Sequence, residues 1–233
     1  MLQAKDLSIG YRHSIAQLGE LSLLQGQILA LVGRNGTGKT TLLKTLQGQL
    51  PALQGEVTLH NQSIRSLSFD ALSKEIAWVD TRFQGVPHLT VYDYVLLGRT
   101  PYFNAMGTAT PTDLVAVKKA LEQVGMTVLK DKQTTEISDG ERQLASIARA
   151  LAQETPLLFL DEPTAFLDFH HRKVIFTLLK HIAVAQSKGI LLSTHELDLV
   201  VAHQLHLLVV RQDGKITQQN PVENVAKLES WLT

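Results

Sequence analysis

Gly33-Arg34-Asn35-Gly36-Thr37-Gly38-Lys39-Thr40 decides how this chain is read. It fits the pattern G-x-x-x-x-G-K-[ST] in full, and its flanks suit it: an apolar run, Gln27-Ile-Leu-Ala-Leu-Val32, precedes it, and a helix-forming run, Thr41-Leu-Leu-Lys-Thr-Leu-Gln47, follows. Glycines let such a strand–loop–helix unit curl its backbone N–H groups onto phosphate oxygens, and the N-terminal end of the helix adds partial positive charge. Gly33, Arg34, Asn35, Gly36, Thr37, Gly38, Lys39, Thr40 and Thr41 are therefore candidate nucleotide contacts, with Lys39 reaching the β- and γ-phosphates. The Thr40 hydroxyl is placed to bind Mg²⁺, a hard ion that takes oxygen ligands. Leu157-Leu158-Phe159-Leu160-Asp161-Glu162 supplies a second half. A strand there delivers Asp161 to its C-terminal end, where a carboxylate can hold Mg²⁺ through water, and Glu162 can polarise an attacking water. Binding and hydrolysis of ATP with Mg²⁺ is the expected chemistry.

Outward from these stretches, apolar runs without alternation at 27–32, 157–160, 190–192 and 207–210 predict strands buried on both faces, as in a parallel sheet, with helical patterns between them. One helix is predicted from about His170 to Gln186, with Val174, Ile175, Leu178, Leu179, Ile182 and Ala183 on its apolar stripe. The result is an α/β fold. Leu2–Ile9, Leu18–Leu24 and Glu56–His60 are short and partly alternating, which predicts a small antiparallel sheet packed beside the parallel one. Asp213-Gly214 signals a two-residue hairpin. Val91–Leu97, Thr112–Val124 and Asp139–Gln153 are helical in pattern. No linker interrupts the 233 residues, so one domain over 1–233 is expected, with 1–83 and 152–233 as a nucleotide-binding core and 84–151 as a helical insertion.

Charge and composition narrow the partners. The 22 basic and 22 acidic residues cancel, which leaves no basic field for nucleic acid. The absence of cysteine excludes disulfides, thiol catalysis and cysteine-ligated metal. Met1–Asp6 lacks an apolar signal core, and runs such as Leu207–Val210 fall far short of the roughly 18–20 residues that span a bilayer, so a soluble chain is expected.

Ile137-Ser138-Asp139-Gly140-Glu141-Arg142-Gln143 reads locally as a helix start, with Ser138 and Glu141 forming a capping box. Here the chain resembles the ATP-binding cassette (ABC) family of ATPases, whose signature L-S-G-G-Q opens a helix ending in A-R-A-L, as in Ala148-Arg149-Ala150-Leu151. The resemblance covers nearly the whole chain in the family's order. Tyr11 comes first, then the phosphate loop and the signature, then Asp161-Glu162-Pro163-Thr164, Ala165-Phe166-Leu167-Asp168 and Ser193-Thr194-His195. It implies the P-loop ABC ATPase fold and a homodimer paired head to tail, in which Ser138, Asp139, Gly140 and Glu141 complete the ATP site of the partner. It further implies that Tyr11 stacks on adenine, that His195 senses the γ-phosphate and that Asp168 lies at the dimer seam. Transmembrane permease subunits, a solute-binding protein and attachment to the cytoplasmic face of the membrane are implied as well.

The chain departs from the family's pattern twice. Asp139 replaces a signature glycine, and its carboxylate is expected to turn outward in the first helical turn, where the helix dipole favours it. After Ile76-Ala77-Trp78-Val79 the family has Pro-Gln, whereas this chain has Asp80-Thr81. Thr81 is then the candidate Mg²⁺ ligand there, and Arg82, Phe83 and Gln84 are expected to form the permease-docking surface. Leu89–Tyr102 looks like a segment of importer ATPases for iron-siderophore, haem and cobalamin, which implies import of a metal chelate. The alternatives are another transporter class, a non-transport ABC protein acting on ribosomes or DNA, and a soluble kinase. A kinase has no use for the signature, and about a hundred residues between Lys39 and Ser138 leave no room for the coiled coil of DNA-repair relatives.

Overall fold

Residues 1–232 are described by a computed structural model. Its strands are β1 (Leu2–Gly10), β2 (Ser14–Leu23), β3 (Ile28–Gly33), β4 (Gln54–Leu59), β5 (Gln62–Ser63), β6 (Ile76–Val79), β7 (Leu157–Asp161), β8 (Gly189–Ser193), β9 (His206–Val210) and β10 (Lys215–Gln219). The helices are α1 (Lys39–Leu46), α2 (Phe69–Ser73), α3 (Val91–Leu96), α4 (Pro111–Gln123), α5 (Asp139–Ala152), α6 (Phe169–Ala185), α7 (Leu197–Ala202) and α8 (Val225–Trp231). None of these helices is long and apolar enough to cross a membrane.

The uninterrupted apolar runs arise because both faces of their strands are covered. In β3, Ile28, Ala30 and Val32 face a cluster shared with α3, α5 and α6, while Leu29 and Leu31 face a second cluster built around Leu42, Leu43 and Leu46 of α1. Leu158 and Leu160 of β7 join the first cluster, and Leu157 and Phe159 the second. Strands β9, β3, β8, β7 and β6 are hydrogen-bonded in that order, all parallel, as the runs predicted.

The antiparallel element departs from expectation. It is not a separate sheet but the continuation of one ten-stranded sheet, ordered β5-β4-β1-β2-β10-β9-β3-β8-β7-β6. Strand β10 makes the join, pairing antiparallel with β9 and parallel with β2 at Lys215↔Gln17 and Ile216↔Leu18. The Gln218 amide extends this short seam by accepting from the Ser22 N–H at 3.1 Å and donating to the Ser22 carbonyl at 3.2 Å. Joining leaves neither segment with a bare edge at this point. The partial alternation of β1 also has a cause. Leu2 and Ala4 share a face with Leu7 and Ile9 although the parity changes between them, because Asp6 sits at φ 49° where the register with β4 shifts. The hairpin at Asp213-Gly214 forms, but Arg211 N–H donates to the Lys215 carbonyl at 2.9 Å, so three residues rather than two make the turn.

In α6 the buried stripe is Ile175, Phe176, Leu179, Ile182 and Ala183, and Val174 lies exposed at its margin. Between β6 and β7 the helices are held by a buried ion pair. Arg99 Nε donates to Asp113 Oδ1 at 2.9 Å, and its Nη1 donates to the Ala152 carbonyl at 2.7 Å and to Glu154 Oε2 at 2.9 Å. The importer-like Gly-Arg-x-Pro-Tyr segment therefore pins the end of α5, with the Arg99 guanidinium 4.1 Å from the Tyr102 ring centroid.

Candidate functional site

Strand β3 ends at Gly33, and α1 begins at Lys39 with Gly38 as its cap. Gly38 has φ 96°, so the backbone favours glycine, and a side chain there would also push against Ile15 Cδ1 at 2.9 Å. The first intrahelical bond runs from Leu42 N–H to the Gly38 carbonyl, which leaves the N–H groups of Lys39, Thr40 and Thr41 facing outward from the helix end. Arg34, Asn35 and Gly36 form the exposed crest of the loop, and Thr37 Oγ1 fastens it by donating to the Arg34 carbonyl at 2.9 Å. The Thr41 side chain is buried.

The parallel register sets the strand ends side by side. Asp161 pairs with Ser193, and Ser193 Oγ donates to Asp161 Oδ1 at 2.6 Å while Thr40 Oγ1 donates to Oδ2 at 2.8 Å. Glu162 has φ 47°, a left-handed conformation rare outside glycine, and its N–H donates to Ser193 Oγ at 2.8 Å. That turn brings Glu162 Oε1 to 2.7 Å from His195 Nε2 and 3.7 Å from Lys39 Nζ. A carboxylate can only accept, which places the hydrogen on Nε2. Lys39 Nζ donates to the Gly33 carbonyl at 3.0 Å and the Arg34 carbonyl at 3.2 Å, and lies 3.3 Å from His195. Burial lowers the Lys39 pKa below its ordinary value, against the charges of Glu162 and Asp161 that raise it.

Lys39, Thr40, Asp161, Glu162 and His195 thus meet in one cluster. Ser193 belongs with them as the fixed donor to Asp161; its signal was its position at the end of a buried strand beside Leu157–Asp161. No hydrogen bond joins Ser138, Asp139, Gly140, Glu141, Asp168, Tyr11 or Thr81 to this cluster among the described residues. Tyr11 is exposed in the turn between β1 and β2, the same hairpin that places Ile15 against Gly38.

Ser138 caps α5, accepting from Glu141 N–H at 3.3 Å while Glu141 Oε2 accepts from Ser138 N–H at 2.8 Å. The Ser138 N–H holds the Glu141 carboxyl below the usual range, despite partial burial. Asp139 turns away from the helix end as expected, its Oδ1 accepting from Arg142 Nη2 at 2.7 Å, and that bond lowers its pKa. Gly140 is buried although Ser138 and Asp139 beside it are exposed. Asp168 caps α6, its Oδ1 accepting from His171 N–H at 2.9 Å and its Oδ2 lying 2.8 Å from His171 Nδ1.

At the segment expected to form the docking surface, Phe83 is a partly buried strut, stacked on Tyr94 with ring centroids 3.9 Å apart and planes 2° from parallel, while Arg82 and Gln84 beside it are exposed. Arg82 lies 5.2 Å from the Phe166 ring, which links this segment to the turn after Glu162. The more open feature nearby is a cleft of about 250 Å³ lined by Gln47, Gln49, Phe69, Trp78, Asp80 and Arg149.

Residues 19–165 match the profile of the ABC transporter family. The chain is 36% identical over 230 residues to an ABC transporter ATP-binding protein of Methanocaldococcus jannaschii, covering 98% of this chain and 79% of that one. It is 32% identical over 223 residues to the iron(3+)-hydroxamate import ATP-binding protein of Bacillus subtilis, with 95% and 83% covered. A solved chain described as part of a metal-chelate type ABC transporter in an inward-facing conformation superposes with a TM-score of 0.82 at 30% identity, covering 94% and 83%. Fold, strand-end chemistry and relatives agree, and the chain belongs to the ABC transporter family as an ATP-hydrolysing, ATP-binding subunit.

Proposed function

We propose that two copies of this chain pair head to tail on the cytoplasmic face of a membrane, bound to permease subunits, and drive import of a metal chelate delivered by a solute-binding protein. One observation carries the pairing. Ser138 stands exposed at the N-terminus of α5, and no hydrogen bond or ion pair joins it to the phosphate loop of its own chain among the described residues. A motif that its own site leaves unused, with free helix N–H groups, suits the γ-phosphate held by a second copy. The cargo class rests on similarity to the hydroxamate importer subunit and to the metal-chelate transporter chain.

In this reading the phosphate loop and Lys39 hold the triphosphate, Tyr11 stacks on adenine, and Glu162 takes a proton from the attacking water while His195 fixes its carboxylate. The oxygen set of Thr40 and Asp161, 2.8 Å apart, fits Mg²⁺, with Thr81 as a further oxygen reaching through water. When bound, Mg²⁺ neutralises charge on the β- and γ-phosphates. ATP favours the closed pair and hydrolysis removes that preference. Asp168 lies at the seam. Residues 1–83 and 152–233 act as the core and 84–151 as the moving helical unit. The permease docks at the cleft beside Trp78, where Phe69 is 86% exposed.

Ser138→Arg tests the pairing: the isolated chain is expected to bind ATP with unchanged affinity, while ATP-dependent dimerisation and turnover are lost. Loss of ATP binding in the monomer would sink the head-to-tail arrangement. Uptake of ferric hydroxamate and cobalamin into vesicles carrying the assembled complex tests the cargo class.

A further inference from the structure

His171 has no place in the chemistry above, yet it stands between two of the motifs involved. Its backbone N–H and its Nδ1 both engage the Asp168 carboxylate, at 2.9 and 2.8 Å. Because a carboxylate only accepts, Nδ1 carries a hydrogen, and this two-point hold fixes the ring. The ring then lies on the first turn of α5. A Cβ built on Gly140 would stand 2.6 Å from His171 Cδ2 and 3.0 Å from both Cγ and Nε2. A side chain at 140 would have to displace the imidazole, and the cover of that ring accounts for Gly140 being buried while Ser138 and Asp139 beside it are exposed.

We propose that His171 is a positioning residue for the composite ATP site, a brace that seats the N-terminus of α5 against Asp168 so that Ser138 and the adjacent N–H groups present correctly to the partner's γ-phosphate. The proposal rests on the head-to-tail reading. Asp168 lies a few residues beyond Glu162, as the cap of α6, so the brace ties the surface that serves the partner's nucleotide to the strand end that cleaves the chain's own. It also gives the glycine at 140 an intrachain cause, contact with the imidazole, in place of clearance for the partner's nucleotide.

The test separates the brace from simple helix capping. His171→Asn keeps an N–H near the position of Nδ1 and so keeps the cap, but removes the ring from Gly140; His171→Ala removes both. In a Glu162→Gln background, the protein concentration for half-maximal ATP-dependent dimerisation is expected to rise on the order of tenfold in both variants. With Glu162 restored, kcat is expected to fall by about the same factor, with the KM for ATP within about twofold. Gly140→Ala is expected to be defective on its own, and the Gly140→Ala/His171→Ala double variant to be no worse than His171→Ala, because the contact is already gone. Wild-type behaviour of His171→Asn would reduce His171 to a cap and overturn the brace, as would losses that multiply in the double variant. Ser138→Arg runs alongside. If it dimerises normally, the head-to-tail reading fails and the brace with it; if it blocks dimers while His171→Asn does not, only the brace fails.

Discussion

Two polar clusters in this molecule use the same materials, a cation, two carboxylates and hydroxyl groups, to different ends. Around Arg99 the parts are matched: its side chain and that of Asp113 are 4% and 2% exposed, 2.9 Å apart, with Asp113 also accepting from the Thr110 N–H and hydroxyl. Around Lys39 they are not. Glu162 is 28% exposed, stands 3.7 Å from the lysine and adopts a left-handed backbone to get there. Burial raises the pKa of Asp113, but its hydrogen bonds from Thr110 and the Arg99 guanidinium outweigh this and hold the carboxyl below the usual range. At Lys39 burial wins over the carboxylates and the pKa falls. The first cluster leaves no buried side-chain nitrogen or oxygen without a partner among the described residues. The second, with its cation imperfectly compensated and its base partly open, can gain from a polyanion and a water.

The contrast makes Glu162→Gln the most damaging change to function and a minor one to fold. Turnover is expected to fall on the order of 10²–10⁴-fold with ATP affinity retained, measured by phosphate release beside nucleotide titration; unchanged turnover would remove Glu162 from the base role. Arg99→Ala is the mirror case. It strands Asp113 in a buried site and is expected to cost about 3–5 kcal/mol in denaturant unfolding, while the folded fraction keeps its nucleotide affinity. Because the folded Asp113 pKa is depressed, the stability its ionised form contributes is present above the usual carboxylate pKa. It is lost as pH falls through the lower folded value, so the gap between variant and parent narrows in acid.

A smaller effect sharpens the comparison at Lys188, a buried cation with neither a carboxylate at ion-pair distance among the described residues nor a ligand site. Its Nζ donates to the Thr155 carbonyl, and burial lowers its pKa from 10.5 to about 8. The unfolded chain then binds more protons between about pH 8 and 10.5, so this group's cost is full below pH 8 and disappears as pH rises. Lys188→Met is expected to stabilise the protein by about 1–2 kcal/mol at pH 7, less at pH 10, after the lost hydrogen bond to Thr155 is counted. Thermal melts at both pH values decide it; a destabilised variant would show that burial is not what limits this lysine.

The phosphate loop was legible because strand, loop and helix are contiguous, and the strand carrying Asp161 because its run is apolar on both faces. The capping box of Ser138 and Glu141 was legible for the same local reason. What escaped the sequence depends on partners far along the chain. Ser193 is fixed only by its register with Asp161, and Phe83 became a strut because Tyr94 offers it a parallel ring. His171 gains its place from Gly140, on another helix. The partial alternation of Leu2–Ile9 becomes legible as a bulge at Asp6 only through the pairing with β4.

The strand order also sets a timetable. β3 is flanked by β8 and β9, with Leu29 opposite Leu191 on one side and His206 on the other. Its earlier neighbours β1 and β2 reach it only by way of β10 and β9. Closing these distant pairings is slow compared with the local hairpins, and a chain emerging from synthesis can make β1, β2 and β4 long before it can seat β3. The residues that will grip the triphosphate are among the first to be made and among the last to be held in place. A nascent chain cut short after β7 would carry both nucleotide motifs and still have no β8 to set Ser193 beside Asp161, so a fixed carboxylate at the strand end is expected only late in synthesis.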